Sequence, residues 1–116
     1  MLFRSWRAFD SAVAKAKGRT LAKGPRGGGR TLDGIVRHVR EGQLMYLEVL
    51  GARYRDKNGR VSAERDAVLA GLAASAHGEL PTKGPRGGVR WKPRYFARRS
   101  MWHLLDHLWE IEDRSS

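Results

Sequence analysis

The chain is predicted to be all-α, a four-helix bundle. Three observations carry this. Apolar residues recur at three- and four-residue spacing in four separate segments. No segment shows the alternation of a half-buried strand. Gly- and Pro-rich stretches interrupt the pattern where a helix could not continue.

The first helix is read over "SWRAFDSAVAKAK", where Trp6, Phe9, Val13 and Ala16 recur at helical spacing and Gly18 is a terminator. It is short for a bundle member. "KGPRGGGR", residues 23–30, is a loop. The second helix is read over "TLDGIVRHVREGQLMYLEVLGARY", with Thr31 as N-cap and an apolar stripe of Leu32, Ile35, Val36, Val39, Leu47 and Leu50. "RDKNGR" is a turn marked by Asn58-Gly59. The third helix is read over "VSAERDAVLAGLAASAHG". Ser62 is its expected N-cap, Glu64 and Asp66 suit its dipole, and Val68, Leu69, Leu72 and Ala76 form its apolar face. "ELPTKGPRGGVRWK" is the second loop. The fourth helix starts near Pro93, whose fixed φ suits a first turn, and carries Tyr95, Phe96, Trp102, Leu105, Leu108, Trp109 and Glu112 along its length, with its aromatics at a spacing expected of core.

"KGPRGG" therefore occurs twice, each time ahead of a helix that carries histidine. That suggests two corresponding helices entering the bundle from the same end. A Gly-rich loop feeding a helix can bind phosphate. Neither copy has the Lys-Ser or Lys-Thr of a P-loop, and neither follows a strand, so turn geometry is the favoured reading.

The 116 residues fit one domain. They include 23 Lys and Arg, 12 Asp and Glu, a net charge of +11 and no cysteine. The last point excludes disulfides, thiolate metal sites and a Cys nucleophile. No apolar run approaches the roughly 20 residues that span a bilayer, and "MLFRSWRAFD" lacks a secretory apolar core. A soluble cytoplasmic protein is expected, with no membrane partner. The positive charge is spread over every segment, which makes nucleic-acid binding the runner-up rather than the first reading.

His103 and His107 stand at i and i+4, on one helical face, where both imidazoles can reach one cation. Leu104 occupies the place of the catalytic Glu in a zinc-protease motif, so that chemistry is excluded. A pair alone also fits hydrogen-bonded core histidines. A third ligand must come from His38 or His77. His77 precedes Gly78 at a helix end and reads as structural. His38 lies inside the second helix, beside Val39. His38, His103 and His107 together suit a divalent transition metal (Zn, Ni, Mn or Fe) with an open position for water or substrate.

"IVRHVREGQLMYLEVLG" followed by "ARRSMWHLLDHLWEIEDR" resembles the DinB-like proteins. In that family a His on the second helix and an HxxxH on the fourth form a three-histidine metal site in a four-helix bundle. The resemblance covers roughly residues 6–114 and implies His38, His103 and His107 as ligands. It further implies a metal-dependent enzyme acting on a small-molecule substrate, with a low-molecular-weight thiol as second cofactor in a thiol-transfer or isomerisation reaction. Arg37 or Arg99 would hold the carboxylates of such a thiol, and Asp106, Glu110 or Glu41 would orient ligand imidazoles, Glu41 being the least favoured. The alternative is a non-catalytic basic helical module that binds nucleic acid or another anionic partner.

Residues 1–5, "MLFRS", are expected to be a non-native start, with 6–116 as the DinB-like domain. A start codon followed by CTC TTC CGA TCT, a common sequencing-adapter end, translates as these five residues. A first helix truncated in this way would leave apolar surface open and favour association, with a homodimer as one outcome.

Overall fold

The computed structural model describes residues 2–24, 28–54, 59–84 and 86–115. They form four helices: α1 (Leu2–Ala16), α2 (Leu32–Leu50), α3 (Val61–Ala76) and α4 (Pro93–Ser115). No strand occurs among the described residues, only an isolated bridge between Lys83 and Val89. The class is all-α and bundle-like, as the periodicity predicts. No helix of the described residues is long and apolar enough to cross a membrane. The chain divides into two compact units, Met1–Val39 with Ser100–Ser116, and Arg40–Arg99.

In the first unit, α1 buries Leu2, Ser5, Trp6, Phe9, Ala12 and Ala16. It begins earlier than its periodicity suggests, and of the expected non-native start only Met1 lies outside the described residues. The first half of α2 buries Ile35 and Val39, and α4 from Ser100 onward buries Ser100, Leu104, Leu108, Ile111 and Arg114. Thr31 caps α2 as expected: its Oγ1 accepts from the Gly34 N–H at 3.1 Å.

In the second unit, α2 ends at Leu50 rather than continuing through Tyr54. Gly51 takes φ +112°, and its N–H closes on Leu47 O. Ser62 does not cap α3; Arg60 precedes the helix without a side-chain cap. Of the expected apolar face of α3 Val68 is buried, but Leu69 and Ala76 are exposed and Leu72 is half-buried; the buried stripe is Glu64, Val68 and Gly71. Leu69 is 41 % exposed. Glu64 is buried because Arg40 pairs with both of its carboxylate oxygens, at 2.9 and 3.0 Å. That hydrogen bond, against the cost of burial, raises the Arg40 pKa above its ordinary value. Gly71 is buried because Leu47 Cδ1 lies only 2.7 Å from where a β-carbon would be.

The expected core of α4 is corrected in the same way. Phe96 and Leu108 are buried, but Tyr95, Trp102 and Trp109 are 43, 57 and 51 % exposed. The two "KGPRGG" copies close alike: Gly24 N–H donates to Gly28 O (3.1 Å) and Gly84 N–H to Gly88 O (2.7 Å). Pro25, Arg26, Gly27 and Pro85 of these loops, and Asn58 of the expected turn, lie outside the described residues.

Candidate metal centre

α4 carries a line of residues spaced four, three, four and three apart: Ser100, Leu104, His107, Ile111 and Arg114. This spacing keeps them on one face, and all but His107 are below a tenth exposed. The His107 side chain is 12 % exposed. His103, one turn before His107, sits at the edge of the same face. His38 comes from α2, between the half-buried Val36 and the buried Val39.

Within the first unit these three imidazoles meet. His103 Nε2 and His38 Nε2 are 3.4 Å apart. The ring centroids are 5.2 Å apart for His38–His103 and 4.7 Å for each of the other two pairs, all edge-to-face. One nitrogen from each ring lies within 4.8 Å of the others. Two nitrogens bound at about 2.05 Å around a tetrahedral ion are separated by about 3.3 Å. The His38–His103 spacing fits that value without rearrangement. Two lone pairs facing each other at this distance repel, so a proton or a cation must lie between them.

His107 is oriented from behind. Its Nδ1 donates to Glu110 Oε1 at 2.8 Å. A carboxylate only accepts, so Nδ1 carries the proton and Nε2 presents its lone pair. Arg114 completes the support: Nη1 donates to Glu110 Oε2 at 2.7 Å. Burial works against the Glu110 carboxylate, but the hydrogen bonds from His107 and Arg114, with their charge, outweigh it and hold its pKa below the ordinary glutamate value. Arg114 itself is tied to the first Gly-rich loop. Nε donates to Ala22 O at 2.5 Å, Nη2 to Arg30 O at 2.7 Å, and the Ala22 N–H returns a bond to Arg114 O. The loop passes so close that a β-carbon on Gly24 would touch Arg114 Cδ at 3.4 Å. Its role here is to bury an arginine, and the arginine's role is to hold Glu110. A cleft of about 460 Å³ lies on the Glu110 side of His107, lined also by Asp106, Trp109, Glu110 and Arg114; neither His38 nor His103 lines it.

The structure thus brings His38, His103 and His107 together and leaves His77 at the end of α3, where its N–H closes on Ala73 O. Of the carboxylates expected to orient imidazoles, Glu110 does so; Asp106 and Glu41 are exposed. Arg37 is exposed, and the Arg99 guanidinium lies over the Tyr46 ring, 5.5 Å from its centroid. Sequence reasoning missed Arg114. The signal was there in Glu110 and Arg114 at i and i+4, the order that favours an ion pair on a helix. No family model matches the chain, and comparison with curated proteins and with solved structures finds no match.

Proposed function

We propose that this protein is a metal-dependent enzyme of the DinB-like type, with His38, His103 and His107 as its metal ligands. The observation that carries the reading is the three-imidazole cluster itself, with two Nε2 atoms 3.4 Å apart and the third ring steered by Glu110. Three neutral donors suit a divalent transition ion and leave at least one coordination position open, the arrangement of catalytic rather than structural sites. A cation held there supplies Lewis acidity, which lowers the pKa of a thiol enough to make it nucleophilic near neutral pH.

The chain's own residues do the rest. The Glu110 carboxylate accepts from His107 Nδ1 and so fixes the tautomer and direction of the ring. Arg114 keeps Glu110 ionised and in place. With no cysteine in the chain, a nucleophilic thiol must come from a low-molecular-weight cofactor. The reaction class is thiol transfer or isomerisation, in the cytoplasm, where such thiols are kept reduced.

Elemental analysis of purified protein tests the reading. One equivalent of divalent transition metal is expected for the wild type, and far less for His38→Ala. Equal metal in the two proteins would remove the triad.

A further inference from the structure

We propose that α4 forms a homodimer interface, with two copies packed antiparallel about Trp102. Tyr95, Trp102 and Trp109 follow one another at seven-residue intervals, 20° short of two full turns, so they line one face of α4. All three are about half exposed. Aromatic side chains at this exposure, in a row along one helix, are the pattern of an uncovered contact surface.

Charge decides what covers it. On the N-terminal side of Trp102 the exposed residues include Arg94 and Arg98; on the C-terminal side they include Asp106 and Glu112. This order opposes the helix dipole, which favours acids at the start and bases at the end. Helix stability therefore does not account for it. A second copy does. Arg98 and Asp106 stand four residues to either side of Trp102, and Tyr95 and Trp109 stand seven. In an antiparallel pair centred on Trp102, each Arg98 faces Asp106 of the second copy, each Tyr95 faces Trp109, and the two Trp102 rings meet at the two-fold axis. Every contact is made twice, as an isologous interface requires. A parallel pair would set Arg98 against Arg98 and Asp106 against Asp106. A nucleic acid would meet the acidic half of the same face.

The dimer also bears on the cleft beside His107, because Asp106 and Trp109 line it. The second copy would bring its Tyr95 and Arg98 to that opening.

The test is sedimentation equilibrium of the full chain over a wide concentration range. The wild type is expected to dimerise. Arg98→Asp alone and Asp106→Arg alone each set like charges opposite one another twice, and each is expected to weaken the dimer about tenfold or more. The double variant restores both pairs and is expected to return close to wild-type affinity; in a parallel dimer it would not. Trp102→Ala is expected to abolish association while circular dichroism stays helical. A wild type that is monomeric at every concentration overturns the proposal. So does a dimer indifferent to both charge reversals, or one that the double variant fails to restore. Quenching of tryptophan fluorescence by a single-stranded oligonucleotide, with the protein monomeric throughout, would assign the face to nucleic acid instead.

Discussion

Replacing Arg114 with Met removes a guanidinium while keeping most of the stem, and it tests both the fold of the first unit and the support of the metal site. The Arg114 side chain is 3 % exposed and donates to three acceptors: Glu110 Oε2, Ala22 O and Arg30 O. A charge-assisted bond contributes about 1.5–3 kcal/mol, and a bond to a neutral carbonyl about 1 kcal/mol. Ala22 and Arg30 are exposed residues, so water can reach much of what the two carbonyls lose. Glu110 is 24 % exposed and recovers only part of its solvation. The expected loss is therefore about 2–4 kcal/mol, short of the full cost of breaking a wholly buried pair. Urea unfolding followed by circular dichroism measures it as a lower midpoint at unchanged slope. Arg114→Lys should recover little, because an ammonium cannot present three donors in a planar fork. The second readout is metal affinity. With Glu110 unheld, His107 loses its fixed tautomer and direction, and affinity is expected to fall about 10–100-fold. Stability within about 0.5 kcal/mol of wild type would show that the guanidinium does not secure the loop. Lower stability with unchanged metal affinity would break the argued link from Arg114 through Glu110 to His107.

The remaining expectations follow from individual contacts. His103→Ala and His107→Ala should each lose stoichiometric metal while His77→Ala retains it, read by elemental analysis; loss in the His77 variant would mean that the cluster is drawn wrongly. Gly71→Val should destabilise by about 2 kcal/mol in chemical denaturation, since Leu47 Cδ1 and Ala52 Cβ lie 2.7 and 3.1 Å from the β-carbon position; equal or higher stability would refute the close approach. In metal-free protein, the stabilising contribution of Glu110 should be complete above the ordinary glutamate pKa and disappear as pH falls through its lowered folded value, because protonation removes the charge that His107 and Arg114 hold. The stability gap between wild type and Glu110→Gln should accordingly narrow on acidification, and a gap that widened would reverse the sign of the effect. Turnover should require both the metal and an added thiol; thiol transfer that survives complete removal of the metal would exclude the proposed mechanism.

The local features of this protein were legible residue by residue. Thr31 before an apolar run caps α2 and Pro93 opens α4, because capping depends on a few adjacent residues, whereas the expected run through Tyr54 passed over Gly51, which ends α2. The i, i+4 spacing put His103 and His107 on one face, and the absence of cysteine confined any metal to nitrogen and oxygen donors. Which face of a helix is buried was a different matter. α4 has apolar residues on two faces, and periodicity alone ranks the large aromatics inside. The fold instead buries Ser100, Leu104, Ile111 and Arg114, because Arg114 finds three acceptors there, while Trp102 and Trp109 lie outside. α3 hides Glu64 and Gly71 for the same kind of reason: an arginine from α2 neutralises one, and Leu47 leaves room for nothing larger than the other. The approach of His38 to His103, across 65 residues of chain, is likewise decided only in three dimensions. Spacing along a chain sets the direction of a side chain around its own helix axis; the partner it meets depends on how distant segments pack.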